Sequence, residues 1–363
     1  MEKNFRPTWI DVNLKALKRN ILKIHRLVAP SRLMFVVKAD AYGHGAGEIS
    51  SFVRNMVWGF GVSSIEEGLI LRKRVRNPIL VLGSLYPFES FLEAIKKDLS
   101  VTISSFDAAR QAVEASKKVG RKIKCHIKIE TGMGRIGARK PAAGRIFRYL
   151  VSFPRHAVLE GAYSHLSSSE TDRKYTLQQF SYYRSALREF GNLPAHFVKH
   201  LCNSHAAIHY PRMRLDMVRC GLACYGLMRG FTPVMSFKTR IVFLKNVRKG
   251  SFLSYEKSFK CARPMKIATL PVGYADGYSR RLSNKSFVLV RGQKCRVLGN
   301  ITMDMMMIDV TNIRNPGIGE EVVLVGKSGN AEIKISNLAE KSGTIAYEAA
   351  SIISKRVPRI YTR

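Results

Sequence analysis

Several apolar runs in this chain end in residues with useful chemistry. The run at 33–37 stops at Lys38, within Val36-Val37-Lys38-Ala39-Asp40-Ala41-Tyr42-Gly43-His44-Gly45. A lysine just past an apolar strand, between low-dielectric walls, has a lowered pKa and suits Schiff-base chemistry. On position alone, a strand-end lysine that merely reaches solvent is the commoner case. The run at 125–129 leads into Glu130-Thr131-Gly132-Met133-Gly134-Arg135-Ile136-Gly137. Its glycines permit tight turns, and Arg135 offers a two-pronged donor for a carboxylate. Ser164-His165 follows the run at 158–163, Cys202-Asn203-Ser204-His205 follows 197–201, and Arg219-Cys220-Gly221 closes 217–220.

These groups need elements that bring them together. With further runs at 57–62, 79–82 and 101–103, eight short apolar segments alternate with amphipathic stretches such as 14–28, 64–75 and 106–119. Strands alternating with helices imply βαβ units and a parallel sheet. Eight units in about 200 residues suggest a (β/α)8 barrel, although a doubly wound sheet shares the local pattern. In such barrels the active site lies at the C-terminal ends of the strands, where the polar residues above fall. Phosphate often docks after strands 7 and 8, which suits Ser204 and the backbone N–H groups of Gly221-Leu222. In 125–129, Ile127 and Ile129 alternate with His126 and Lys128, so Lys128 should point into the barrel near Arg135. After residue 230 the texture turns β-like, at 235–247, 265–270, 286–290, 294–298, 305–310 and 321–325, with one helical pattern at 335–342. The expected architecture is α/β: a (β/α)8 barrel over 1–230, then a mostly antiparallel β domain over 231–363.

Composition narrows the class. The 363 residues are 46% hydrophobic, which supplies a sizeable core and excludes general disorder. No apolar stretch approaches the roughly 18 residues of a membrane span. Met1-Glu2-Lys3-Asn4-Phe5-Arg6-Pro7 has no apolar signal core, so a soluble, cytoplasmic protein is expected. Six cysteines without a CxxC pair read as small buried hydrophobes. His196/His200 and His205/His209 have i,i+4 spacing, but no HExxH or Cys partner accompanies them, so no metal site is expected. The formal net charge of +35 is one footprint of a nucleic-acid binder. No RNP, KH, helix-turn-helix or zinc-finger pattern supports that reading, so no specific nucleic acid is expected.

Taken together, the motifs resemble the alanine racemase family over essentially the whole chain. They are Val37-Lys38-Ala39-Asp40-Ala41-Tyr42-Gly43-His44-Gly45, Thr131-Gly132-Met133-Gly134-Arg135-Ile136-Gly137, Val218-Arg219-Cys220-Gly221-Leu222 with Tyr225-Gly226, Pro271-Val272-Gly273-Tyr274-Ala275-Asp276-Gly277-Tyr278, Thr302-Met303-Asp304 and Arg356-Val357-Pro358-Arg359. The resemblance implies pyridoxal 5'-phosphate (PLP) as cofactor and a head-to-tail homodimer with shared active sites. It further implies interconversion of L- and D-alanine for peptidoglycan by two bases on opposite faces. By the same resemblance, Lys38 would bind PLP and act as one base. Tyr274 from the partner subunit would be the other. Tyr42, Ser204, Gly221 and Leu222 would hold the phosphate, and Arg219 would face the pyridine nitrogen, linked to His165. Arg135 and the Met303 backbone would hold the substrate carboxylate, with Lys128 and Asp304 in support. Some relatives carry a carbamylated lysine at the Lys128 position. Thr302 replaces a frequent Cys, and Lys355 stands where many relatives have a phosphate-contacting tyrosine. The competing readings are a broader-specificity racemase, a non-catalytic PLP carrier and a nucleic-acid-binding module. The 130-odd residues beyond Gly230 argue against a carrier built of the barrel alone.

Overall fold

The computed structural model describes residues 5–363. Met1-Glu2-Lys3-Asn4, part of the stretch read for an export signal, lie outside the described residues. The chain divides into two compact units, and the first comprises residues 18–41 and 46–224. In it eight parallel strands close a barrel: Arg32–Val36, Gly59–Val62, Ile79–Val81, Ser100–Ile103, Ile123–Lys128, Ala157–Tyr163, Val198–His200 and Met217–Cys220. All eight apolar runs become barrel strands, with ends shifted by one or two residues. Closure pairs the first strand with the eighth and sets Met34 opposite Arg219.

Local sequence explains the helices that return the chain. Ser105 caps Phe106–Val119 by accepting from the Ala108 amide at 3.1 Å, and Gly120 ends that helix at φ +70°. Asp172 does the same for Arg173–Arg188, accepting from the Tyr175 amide at 2.9 Å. Met34, Leu80, Tyr163, Val198 and Met217 pack together as one buried cluster. The other inward positions carry polar groups, namely Thr102, His126, Lys128, His200 and Arg219, all buried.

The second unit holds residues 5–17, 42–45 and 225–363. Its main sheet runs in the order Phe243–Val247, Met265–Leu270, Met306–Asp309, Gln293–Leu298, Phe287–Val290, Glu321–Ser328, Met235–Arg240, Thr8–Asn13 and Arg359–Thr362. All neighbours are antiparallel except Thr8–Asn13 with Arg359–Thr362. The β-like stretch at 235–247 is two strands, and the helical pattern at 335–342 is the helix Ile335–Ser342.

One boundary differs from the sequence reading. A cut at 230 leaves residues 5–17 and 42–45 with the barrel, whereas they group with the C-terminal unit. The cause is strand pairing. Thr8–Asn13 lies between two strands of that sheet and buries Ile10 and Val12 completely. Among the described residues no helix is long and apolar enough to cross a membrane. All six cysteines are free and buried.

A fragment of residues 231–363 should therefore show no cooperative urea transition, since its strands Met235–Arg240 and Arg359–Thr362 lose their common neighbour. Adding a peptide of residues 5–17 should restore one. A cooperative transition in the fragment alone would count against this account.

Candidate active site

In the barrel unit, Lys38 is half-buried just beyond the first strand. The backbone then turns left-handed through four residues without glycine: Ala39, Asp40, Ala41 and Tyr42 have φ of 51°, 51°, 56° and 52°. Each such residue costs about 1–2 kcal/mol, so the turn needs anchors. The Ala39 amide donates to Glu67 Oε1 at 2.8 Å, and the Ala46 amide donates to Asp40 Oδ1 at 2.8 Å. Glu67 Oε2 also accepts from the Ser63 amide at 2.7 Å. Burial and then Arg135 push the Lys38 amine below its ordinary value, and Glu67 partly opposes them.

Loops at neighbouring strand ends are tied to one another. The Ala138 amide donates to Lys128 O at 2.8 Å, and Glu130 Oε1 takes the amides of Gly132 and Met133. Gly137 sits at φ +134°, where a Cβ would lie 2.8 Å from the Glu130 nitrogen. Gln179 donates to Thr131 Oγ1 and His165 O, both at 3.2 Å, so it links the loops carrying Arg135 and His165. Arg135 itself is exposed.

Deeper in the barrel, two cations share one aromatic face. Lys128 Nζ lies 4.5 Å and Arg219 Cζ 5.0 Å from the Tyr163 ring centroid. Lys128 does point inward, and only 5% of it is exposed. Among the described residues neither cation forms an ion pair with a carboxylate. Arg219 donates to His200 Nδ1 at 3.0 Å, Ser164 O at 2.6 Å and Leu201 O at 3.1 Å. The side chain that Arg219 meets is thus His200, and no Arg219–His165 hydrogen bond occurs among the described residues. Burial, then Arg219 and Arg135, hold the Lys128 amine well below its ordinary value. Burial, then Arg219, Lys128, Arg135 and Lys38, do the same to His165.

After strands 7 and 8, Ser204 Oγ accepts from the amides of Gly221 at 3.1 Å and Ala223 at 3.3 Å. Ser204 and Gly221 therefore meet, and Ala223 joins them. The His205 and His209 rings lie tilted with centroids 4.3 Å apart, and the described residues contain no cluster of three or more His, Cys, Asp or Glu that could hold a metal.

The sheet unit carries the remaining candidates. Tyr42 packs on Tyr225 with centroids 5.1 Å apart. Tyr274, 43% exposed, opens the turn Tyr274–Asp276. The Tyr274 amide donates to Thr302 O and the Ala275 amide to Met303 O, both at 3.1 Å, which brings Tyr274 and Met303 together. Asp276 is fully buried and receives Arg6 at 2.7 Å and Arg356 at 2.8 Å. Arg356 also reaches Asp304 at 2.8 Å. Lys355 is exposed.

Sequence reasoning missed His200, Tyr163 and Glu67. Inward alternation along Ala157–Tyr163 and Val198–His200 points to the first two. The Ser64-x-x-Glu67 spacing marks a helix start, but nothing local ties Glu67 to Ala39, 28 residues away.

The barrel unit thus presents a half-buried lysine together with buried cations that have no carboxylate partner among the described residues. Comparison with known proteins agrees. The family model described as "Alanine racemase, N-terminal domain" matches residues 12–229, and "Alanine racemase, C-terminal domain" matches 234–361. Alanine racemase of Symbiobacterium thermophilum is 40% identical over 372 residues, spanning 98% of this chain and 97% of the relative. That of Halothermothrix orenii is 40% identical over 370 residues, with the same coverage of each. The crystal structure of alanine racemase from Bacillus anthracis with bound L-Ala-P superposes with a TM-score of 0.92 at 32% identity, covering 99% of this chain and 96% of that one. The E. faecalis enzyme gives 0.93 at 31% identity, covering 98% of each. The chain belongs to the alanine racemase family.

The buried histidines give the fold a pH dependence. Burial and Arg219 also push His200 well below 6.5. Both His165 and His200 stay neutral when folded but take a proton when unfolded. Stability is then complete above about pH 6.5 and falls as pH drops below it, with a slope approaching about 1.4 kcal/mol per pH unit for each histidine. Urea midpoints measured from neutral pH down to about pH 5 should fall accordingly. A flat series would overturn the assignment.

Proposed function

We propose that this chain racemises alanine with PLP, Lys38 and Tyr274 serving as the two bases. The observation that carries this reading is the half-buried Lys38 above buried Arg219 and Lys128, neither of which has a carboxylate partner. A cofactor aldehyde fits the Lys38 amine, and its phosphate fits the corner where Ser204 meets Gly221. PLP supplies an electron sink that acidifies the substrate α-proton. Lys38 would hold it, Arg219 would face its ring nitrogen, and His165 would flank that pair. Tyr42, Ser204, Gly221 and Leu222 would receive its phosphate.

The remaining work belongs to side chains. Lys38 Nζ, with its lowered pKa, takes or returns a proton on one face at neutral pH. Tyr274 Oη serves the opposite face from the second subunit of a head-to-tail homodimer, which its exposure permits. Arg135 and the Met303 backbone hold the substrate carboxylate, and Asp304 supports them. The always-charged Arg219 guanidinium cannot give the ring nitrogen a proton. That restrains carbanion delocalisation and with it transamination. The D-alanine would serve peptidoglycan synthesis in the cytoplasm.

Two measurements test this reading. Deuterium exchange into L- and D-alanine should fall about 10²–10⁴-fold in both Lys38→Ala and Tyr274→Phe, with opposite stereochemical defects. Tyr274→Phe at full rate would remove that residue from the mechanism. The protein with PLP should also show a violet absorption band that borohydride abolishes, and a colourless protein would sink the assignment.

Lys128 fits a carbamate. Its amine, held well below the usual lysine range, is uncharged often enough to attack CO2, forming an N–C bond and releasing one proton. The product is an anion beside Arg219 and Arg135. A carbamate carbon resonance in 13C-bicarbonate that disappears in Lys128→Ala is the expected result. No such resonance at neutral pH would leave Lys128 an unmodified amine.

A further inference from the structure

Arg219 is the head of a longer chain of polar groups inside the barrel. His200 Nδ1 takes its Nη1 donor at 3.0 Å, and His200 Nε2 faces His126 Nδ1 at 3.1 Å. The two imidazoles meet nearly at right angles, with centroids 5.0 Å apart. His126 Nε2 lies 3.4 Å from Glu160 Oε2, which also accepts from Ser100 Oγ at 2.5 Å. Both histidines are buried, and His200 stacks flat on Tyr163 at 4.9 Å.

The backbone is shaped for this. Pairing between the fifth and sixth strands slips between Cys125 and His126, so Leu159 faces Cys125 and Gly161 faces His126. Glu160 is the extra residue of that bulge, and a bulge re-aims a side chain. A Cβ on Gly161 would lie 2.9 Å from His126 Nδ1, so glycine leaves room for the ring.

The proton positions follow from one fact: a guanidinium only donates. Nδ1 of His200 must therefore be a lone pair, and its one proton sits on Nε2. That proton points at His126 Nδ1, which must accept. The proton of His126 is left on Nε2, which lies 3.4 Å from the Glu160 carboxylate without hydrogen-bond alignment, so Glu160 acts on it through its charge. Burial raises the Glu160 carboxyl, but His126, Ser100 and Lys124 outweigh it and keep the group ionised.

We propose that Arg219, His200 and His126 form a one-way donor chain, faced at its end by the Glu160 carboxylate, that locks both histidines as Nε2–H tautomers and holds the Arg219 guanidinium in place. His126 and Glu160 are positioning residues that act on Arg219 through His200. Their effect on catalysis rests on the reading that Arg219 faces the cofactor ring. The chain itself does not.

The test uses the PLP-bound protein labelled with 15N-histidine, in which only nine histidines contribute. Two-bond 15N–1H correlations should show His126 and His200 protonated at Nε2 alone, assigned by comparison with His126→Asn and His200→Gln. A proton on Nδ1 of either residue overturns the proposal. In the second arm, His126→Leu leaves His200 Nε2–H without an acceptor and should lower kcat about tenfold with KM unchanged. His126→Asn keeps an oxygen near the Nδ1 position and should stay within about threefold of wild type. Equal rates in Leu and Asn variants would overturn the positioning role. If the Leu variant does not fold, the wild-type spectrum still decides the chain. An Arg219→Ala enzyme with wild-type rate and absorption would instead sink the reading of Arg219 as the ring's partner, while the wild-type spectrum decides the tautomers independently.

Discussion

The barrel interior depends on burying one charge, the guanidinium of Arg219, which is only 4% exposed. A buried ion costs several kcal/mol unless it is paired and hydrogen-bonded. No carboxylate serves here. Neutral acceptors do: His200 Nδ1, Ser164 O, Leu201 O and the Tyr163 face. They come from the ends of the sixth and seventh strands, whereas Arg219 lies on the eighth. Satisfying the cation therefore demands the register of three consecutive strands at once. The same charge sets the protonation of its neighbours, since His165, His200 and Lys128 are each held well below their ordinary values by burial and by Arg219.

Holding cations without carboxylate partners is costly in a low-dielectric interior. The cost is partly a matter of preparation, as with the left-handed turn after Lys38. Four non-glycine residues at positive φ persist there, anchored by Glu67, which accepts the Ala39 amide, and by Asp40, which reaches on to the Ala46 amide. Such outliers survive where surrounding contacts over-determine them, and they gather at functional sites. The formal net charge of +35 acts at longer range. It draws anionic small molecules toward the protein in a salt-dependent way and specifies no fold.

Most of the barrel was legible because each strand is a short apolar run with polar residues just past its end. Lys128 was legible through strand alternation with Ile127 and Ile129. Two features were not. Thr8–Asn13 has an alternating pattern, but its partners begin at Met235 and Arg359, so nothing nearby in sequence assigns it to the second unit. His196/His200 has helical spacing, yet His196 lies in a turn and His200 on the strand Val198–His200, so no helix face joins them. Its actual partners, Arg219 and His126, lie on other strands. Tertiary register decides such contacts, and a single sequence does not encode register in any local pattern.

The Gly273-Tyr274-Ala275-Asp276-Gly277 motif shows how a short pattern encodes a display device. A Cβ on Gly273 would lie 2.2 Å from Thr302 O, so only glycine brings this turn against the 302–303 backbone. Gly277 ends the turn at φ +96°, a conformation that side chains resist. Between them Asp276 is fully buried and takes the Gly273 amide at 2.9 Å, together with Arg6 and Arg356. Those arginines come from near the two ends of the chain. One buried carboxylate thus ties both termini of the sheet unit to the turn that displays Tyr274. The geometry constrains two glycines and one acid, and it leaves the tyrosine ring exposed.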